Sequence, residues 1–296
     1  MTEKEIGLDR ISPSALDCYL TCPKLFYYRN WLGLKLESDS RHFAFGTAVH
    51  AALENLYLQY DRNFGGAWEG AEYKRYQRAF DDNWKPSHIS EEEFEKYVLT
   101  KKGQESGFTK KDHLYECMKK DGHAMIKSYW DNKEWLLTEH GIDIIETEEY
   151  MRVEMYSPED PKDKLPIPLS MRLDALGTPE EDDKIIEFKT SAGKYNEEET
   201  REKIQGRCYS WGKYTVDKKV RDVDYVILLK DRKTDNRLQV IHLKYDVPDM
   251  MHFYEQVKSI LQKIANREFS PPPIGHAFWC DCKKFDELLD VSEIRN

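Results

Sequence analysis

The chain has 296 residues, of which 40% are hydrophobic and 12% aromatic, enough for a packed core and too many for wholesale disorder. No apolar run approaches the roughly 20 residues that span a bilayer, and the opening MTEKEIGLDR lacks the apolar centre of a secretory leader, so a cytoplasmic protein with no membrane partner is expected. A formal net charge of −10 argues against coating nucleic acid by bulk electrostatics, while leaving room for a local groove lined by Lys and Arg.

Residues 12–32 read as a helix, with Ser12 as N-cap, Pro13 at the first helical position and a recurring apolar set from Leu16 to Leu32. Residues 43–61 read as a second helix opened by Gly46 and Thr47. On it His50 and Glu54 are four apart and share a face. Taken alone, His50 is a buried, satisfied histidine and Glu54 half of a surface ion pair. Helical periodicity returns around 66–84, 91–99 and 110–139. Between them, residues 100–111 carry four lysines and two glycines, which suits an exposed loop or a lid that touches phosphates.

Residues 142–156 alternate as a strand. Glu146, Glu148 and Glu149 fit its solvated face, or one of them adds an acid to a metal site. Ser157 to Pro168, with four prolines, is a turn. Pro168 to Asp174 alternates again, the acidic stretch Pro179–Asp183 turns, and Lys184 to Thr190 forms the second arm of a hairpin. Period-two alternation sends Glu187 and Lys189 to one face and Ile186 and Phe188 to the other. Two carboxylates and an amine, Asp174, Glu187 and Lys189, can then hold a hard divalent cation and position a water beside it. The same residues also describe a solvated hairpin edge with an ordinary ion pair.

Residues 196–216 read as one helix whose acidic start suits its dipole. On it Gln205 and Tyr209 project together. Residues 223–230 and 238–245 read as a buried strand and its antiparallel neighbour across a basic-leaning loop. Residues 248–267 form an amphipathic helix with Met251, Phe253, Tyr254, Val257, Ile260, Leu261 and Ile264 on its apolar stripe. Six cysteines in a chain this long do not make a disulfide framework, so metal ligation or burial is expected. Cys117 and Cys208 read as buried.

Asp174-x(12)-Glu187-x-Lys189 on paired strands resembles the core of the PD-(D/E)XK nuclease superfamily. Gly46-x-x-x-His50-x-x-Leu53-Glu54, Gln205-x-x-x-Tyr209 and the stretch from Ser12 through Tyr19, Cys22 and Pro23 to Phe26 resemble the motifs of its RecB-like branch, in the same order. The resemblance implies an α/β (α+β) fold: a restriction-endonuclease-like core, with a mixed central sheet flanked by helices. One nuclease domain would cover residues 1–296, with the core at 12–61 and 142–267, a helical insertion at 62–141 roofing a DNA channel, and a cysteine-containing tail at 268–296. It implies Mg2+ or Mn2+ held by His50, Asp174, Glu187 and the Phe188 carbonyl, with Lys189 acting on the attacking water and Gln205 and Tyr209 setting the lysine and engaging the strand. It also implies a [4Fe-4S] cluster on Cys22 and tail cysteines. The tail here has two, Cys280 and Cys282, spaced Cys-x-Cys, so Cys18 is the candidate fourth ligand of a four-thiolate set that would hold the cluster or zinc, or else these cysteines simply pack.

The function expected is a metal-dependent DNA nuclease, an exonuclease acting on single strands or duplex ends. With no G-x-x-x-x-G-K-[ST] loop, any helicase or recombination partner is a separate chain. The alternative is a catalytically silent nuclease-fold subunit that binds DNA in a repair, recombination or CRISPR-adaptation complex. Intact Asp174, Glu187 and Lys189 argue against it. A metal-dependent enzyme on a non-nucleic substrate would leave Gln205 and Tyr209 unexplained.

Overall fold

The computed structural model describes residues 2–36, 41–58, 73–178, 184–230, 237–271 and 280–293. The acidic turn 179–183 and the loop 231–236 lie outside the described residues. The sheet consists of β1 (Asp143–Val153), β2 (Leu169–Thr178), β3 (Lys184–Ser191), β4 (Val223–Leu229) and β5 (Leu238–Leu243), ordered 1-2-3-4-5. All neighbours are antiparallel except β3 and β4, which run parallel. A parallel pair needs a crossover. It is supplied by α10 (Glu197–Glu202) and α11 (Ile204–Asp217). The single helix expected over 196–216 is thus two: Lys203 adopts φ −65° and ψ 133°, an extended residue that ends α10 and opens α11.

The chain starts with α1 (Glu3–Ile6), held by a capping box between Thr2 and Glu5, and α2 (Pro13–Thr21), capped by Ser12. The helix expected to run on to residue 32 stops at Cys22, because Pro23 cannot donate a backbone hydrogen bond and disfavours helical geometry in the residue before it. Cys22 is extended, at φ −157° and ψ 102°, and its sulfur accepts the Leu25 amide at the start of α3 (Pro23–Phe26). A π-helical turn, Tyr27–Trp31, follows.

Then come α4 (Arg41–Leu58), α5 (Tyr73–Asn83), α6 (Glu91–Val98), α7 (Lys101–Ser106), α8 (Lys111–Asp131) and α9 (Lys133–His140). Instead of an exposed loop, 100–111 holds α7. Thr100 caps it, receiving the Gly103 amide, and Gly107 ends it in the left-handed region at φ 65°. A Cβ at Gly103 would lie 2.0 Å from the Tyr97 carbonyl oxygen, so only glycine permits this close turn against α6.

The sheet separates two apolar cores. On one side Leu173, Ile185, Tyr225 and Ile227 pack with residues of α2, α11 and α12 (Val247–Ala265). On the other, Ala175, Ile186, Phe188, Val226 and Leu228 pack with α4, α5 and α8. β4 is therefore buried on both faces, which explains its unbroken apolar run. On α12 it is Met250, not Met251, that is fully buried. A third cluster joins Cys22 and Tyr28 to Cys282 and Phe285 of α13 (Cys282–Glu293).

Candidate active site

Among the described residues, β2 and β3 pair from Ala175 to Gly177 against Lys184 to Ile186. At the next position the strands part, and the Phe188 amide would be left without a ladder partner. Asp174 supplies one: its Oδ2 accepts the Phe188 N–H at 2.9 Å. Its other oxygen faces His50 of α4, 3.4 Å from Nδ1. The His50 ring stands edge-to-face against Phe188, centroids 6.5 Å apart, which fixes its plane.

Glu187 is 1% exposed, and a carboxylate buried this deeply needs partners. Its Oε1 accepts from Lys189 Nζ and, at 2.8 Å, from Gln205 Nε2. The same amide donates to the Tyr209 hydroxyl at 2.6 Å. Gln205 reaches the sheet because α11 lies unusually close: a Cβ at Gly206 would meet the Tyr245 hydroxyl at 2.5 Å and that of Tyr225 at 3.2 Å. Among the described residues, Glu187 Oε2 is buried with no hydrogen-bond partner.

Burial and the Asp174 charge push Glu187 up to about 7. Burial acts against ionisation of the other three as well, but their partners outweigh it. His50, Lys189 and the Phe188 amide hold Asp174 below the usual carboxylate range, Asp174 and Glu187 raise His50, and Glu187 and Asp174 raise Lys189. Burial, then the charges of Glu187 and Asp174, drive Tyr209 far above the ordinary phenol range, so it enters as a neutral hydroxyl.

The structure thus gathers Asp174, Glu187, Lys189, Gln205 and Tyr209 at the opening between two strands, with His50 beside Asp174. It does not draw His50, Asp174 and Glu187 into a tight ligand triangle. Among the described residues, the only group of three or more potential donors within 4.8 Å of one another is Cys22, Cys280 and Cys282. Glu187 gives one oxygen to Lys189 and Gln205 instead. The donor chemistry still fits a hard divalent cation: two carboxylates that repel each other, one of them with a buried oxygen unsatisfied, beside an imidazole. The Phe188 side chain is buried on the α4 side and its amide is taken by Asp174.

A cleft of about 590 Å³ opens over this site, lined by His50, Asp174, Lys189 and Thr190 together with Glu54 and Glu148. Glu148, one of three acids read as part of a solvated strand face or as an added acid for a metal site, sits at φ 61° and ion-pairs with Arg172, so a turned backbone sends it into the cleft. Nothing in its alternation signals that turn. Its neighbour Glu149 pairs with Lys213 of α11 at 2.6 Å.

Of the four cysteines read as a set, three converge and Cys18 is outside the group. The four-residue spacing of Cys18 and Cys22 puts them on one face only if both are helical, and Pro23 makes Cys22 extended. Burial raises the thiols of Cys22, Cys282 (to about 12) and Cys18 (to about 11). Cys208 is buried and Cys117 half-buried.

The model of the PD-(D/E)XK nuclease superfamily matches residues 10–285, so the chain belongs to that superfamily. Among solved structures, the chain is similar to that of a "Putative exonuclease" from Eubacterium rectale: TM-score 0.54, 11% identity, 94% of this chain and 88% of that one covered. At that identity the likeness is one of fold. Weaker overlaps occur with SSO0001 (TM-score 0.30, 13% identity, 51% and 67% covered) and with Rai1 of Scheffersomyces stipitis (0.24, 14%, 84% and 67%), and these bear no argument. No curated protein matches the chain.

Proposed function

We propose that the chain is a metal-dependent deoxyribonuclease, trimming DNA from ends and favouring single strands, with residues 1–296 acting as one unit. The observation that carries this is the Asp174–Glu187–Lys189 constellation at the parting of β2 and β3, with Glu187 locked by Gln205 and Tyr209. That helices α5 and α8 share one apolar core with the sheet supports a single unit.

His50, Asp174, Glu187 and the Phe188 carbonyl are the groups that would hold Mg2+ or Mn2+, which when bound lowers the pKa of water and neutralises phosphate charge. Asp174 fixes the β3 backbone beside the scissile phosphate. Lys189, an ammonium held by Glu187, donates to the attacking water or to a phosphate oxygen as negative charge grows there. The water oxygen bonds to phosphorus and gives its proton to solvent, while one ester oxygen leaves with the bonding electrons and takes up a proton from solvent. Gln205 and Tyr209 keep Glu187, and through it Lys189, in place. Repair or recombination is the setting such chemistry suits.

A second proposal rests on the three converging sulfurs: Cys22, Cys280 and Cys282 bind zinc or an iron–sulfur cluster, with Cys18 the candidate fourth ligand.

The nuclease reading is tested with end-labelled single-stranded DNA and Mg2+ or Mn2+, comparing wild type with Asp174→Ala and Lys189→Ala. Metal-dependent loss of label that both variants abolish supports it. A folded wild type inert on single strands, duplexes and RNA overturns it.

A further inference from the structure

The mouth of the catalytic cleft has features that the hydrolytic residues do not use. At the start of α4, Phe43 lines the same cleft as His50, Asp174 and Lys189, yet it is 72% exposed. Exposed aromatics scattered singly are ordinary. This one stands in a concave, otherwise polar site.

Around it are cations in a chain whose net charge is −10. Neighbouring His42 lines the cleft as well. It is held down to about 4, first by burial and then by the charges of Arg41, Lys230 and Lys102. Those three come from separate parts of the chain: the first residue of α4, the residue after β4, and the exposed face of α7. Lys230 lies 4.3 Å over the Phe45 ring, and its amide donates to Ser191 O at 2.8 Å, next to cleft-lining Thr190. Burial lowers Lys230, and Lys102 and Arg41 lower it further; only Asp121 acts the other way. Arg41 leans on Glu93, its Nη1 3.7 Å from the carboxylate. Like charges assembled at a cleft rim repel one another, and a polyanion laid across them relieves that repulsion.

We infer that this rim is a single-strand clamp: Phe43 stacks an unpaired base while Lys102 and Lys230 hold the flanking phosphates, feeding the strand toward Asp174 and Lys189. A lone ring serves unpaired bases because every base has a π-face, whereas bases in a duplex already stack on each other. The chemical class selected is therefore single-stranded nucleic acid or a frayed duplex end. The inference deepens the nuclease proposal and rests on it.

Binding without cleavage separates the two. Fluorescently labelled oligothymidylate and a duplex of the same length are titrated, in chelator, with wild type, Phe43→Ala, Phe43→Trp, Lys102→Ala and Lys230→Gln, each checked by thermal unfolding. Phe43→Ala is expected to weaken single-strand binding about tenfold, with duplex binding unchanged and Phe43→Trp restoring affinity. The two lysine variants combined are expected to flatten the slope of log affinity against log salt by roughly 1.4. Unchanged affinity in Phe43→Ala, or equal losses on single strand and duplex, overturns the clamp. A wild type that binds single strands in this Phe43-dependent way but cleaves nothing would leave the clamp and sink the nuclease reading. Cleavage with no Phe43 dependence would do the reverse.

Discussion

Glu187 shows how much one buried carboxylate asks of its neighbours. It has a lysine and an amide on one oxygen and nothing on the other, and Gln205 is shared with Tyr209. Gln205→Leu removes a hydrogen bond to a buried charged group and is expected to lower stability by about 1–3 kcal/mol, and activity with it. Gln205→Glu puts a second carboxylate on Oε1 and is expected to cost more; thermal unfolding beside the cleavage assay reads both. Lys189→Met, similar in volume but without charge, is expected to lower cleavage roughly 100- to 1,000-fold and, because it leaves the buried Glu187 carboxylate without its ammonium, to lower the unfolding midpoint while the protein stays mostly folded under assay conditions. A loss of folding equal to the loss of activity would show that the lysine is structural.

At this scale the sequence was informative where chemistry is carried by fixed spacing along a regular element. Glu187 and Lys189 face one way because a strand alternates, and Gln205 meets Tyr209 because a helix turns. Glu148 was named with Glu146 and Glu149 but not singled out from them, because positive φ in a glutamate has no compositional mark. Cys18 stands outside the three converging sulfurs because proline forces Cys22 out of the helix that their four-residue spacing assumes.

Elements carry the next lesson. β2 and β3 form a ladder three residue pairs long and then part, and a side-chain carboxylate takes over the hydrogen bond at the fork. The pairing of the two strands was visible in their apolar alternation, but the fork was not, since nothing in that alternation marks where the ladder ends. The break at Lys203 was equally silent: no proline or glycine marks it, and tertiary packing of α11 decides it. That packing predicts a sensitive position. Gly206→Ala places a methyl against two buried tyrosine hydroxyls and is expected to cost about 1–3 kcal/mol, lowering the denaturant midpoint and weakening the Gln205–Glu187 contact. A variant of wild-type stability would mean that α11 can shift outward freely.

The clasp between α3 and α13 has its own signature in pH. Asp286 accepts from Lys24 Nζ at 2.7 Å and from the Tyr28 hydroxyl at 2.5 Å. Partial burial raises its carboxyl, but those two donors outweigh it and leave it below its ordinary 3.8. A carboxyl depressed in the folded state adds stability that is present above that ordinary value and lost as pH falls through the depressed one. Half-exposed, it contributes at most about 1 kcal/mol. The difference in melting temperature between wild type and Asp286→Asn is therefore expected to be constant near neutrality and to shrink below pH 3.8. A difference that persists in acid would mean that the contact is one of shape rather than charge.

For the molecule as a whole, two cores on opposite faces of one sheet meet at the site. His50 comes from the α4 side and Gln205 from the α11 side, so either core can disturb the same few atoms. No helix among the described residues is long and apolar enough to cross a membrane. Dialysis against a strong chelator is expected to abolish cleavage, with Mg2+ or Mn2+ restoring it. If the sulfur cluster is also loaded, elemental analysis of untreated protein will show zinc or iron, and Cys282→Ser will lower both the metal content and the melting temperature. Neither metal in protein purified without oxygen would leave the three thiols as packing residues.

Tyr28 and Asp286 are 258 residues apart in the chain, and the sulfur cluster spans the same interval. On the ribosome, the first helices leave the exit tunnel with their apolar side uncovered and wait through nearly the whole of translation for the segment that seals them. Premature termination between Tyr209 and Cys280 would release a chain with its catalytic residues complete and its opening helices unsealed, so quality control by chaperone or protease would see the defect at the beginning of the polypeptide, far from the missing end.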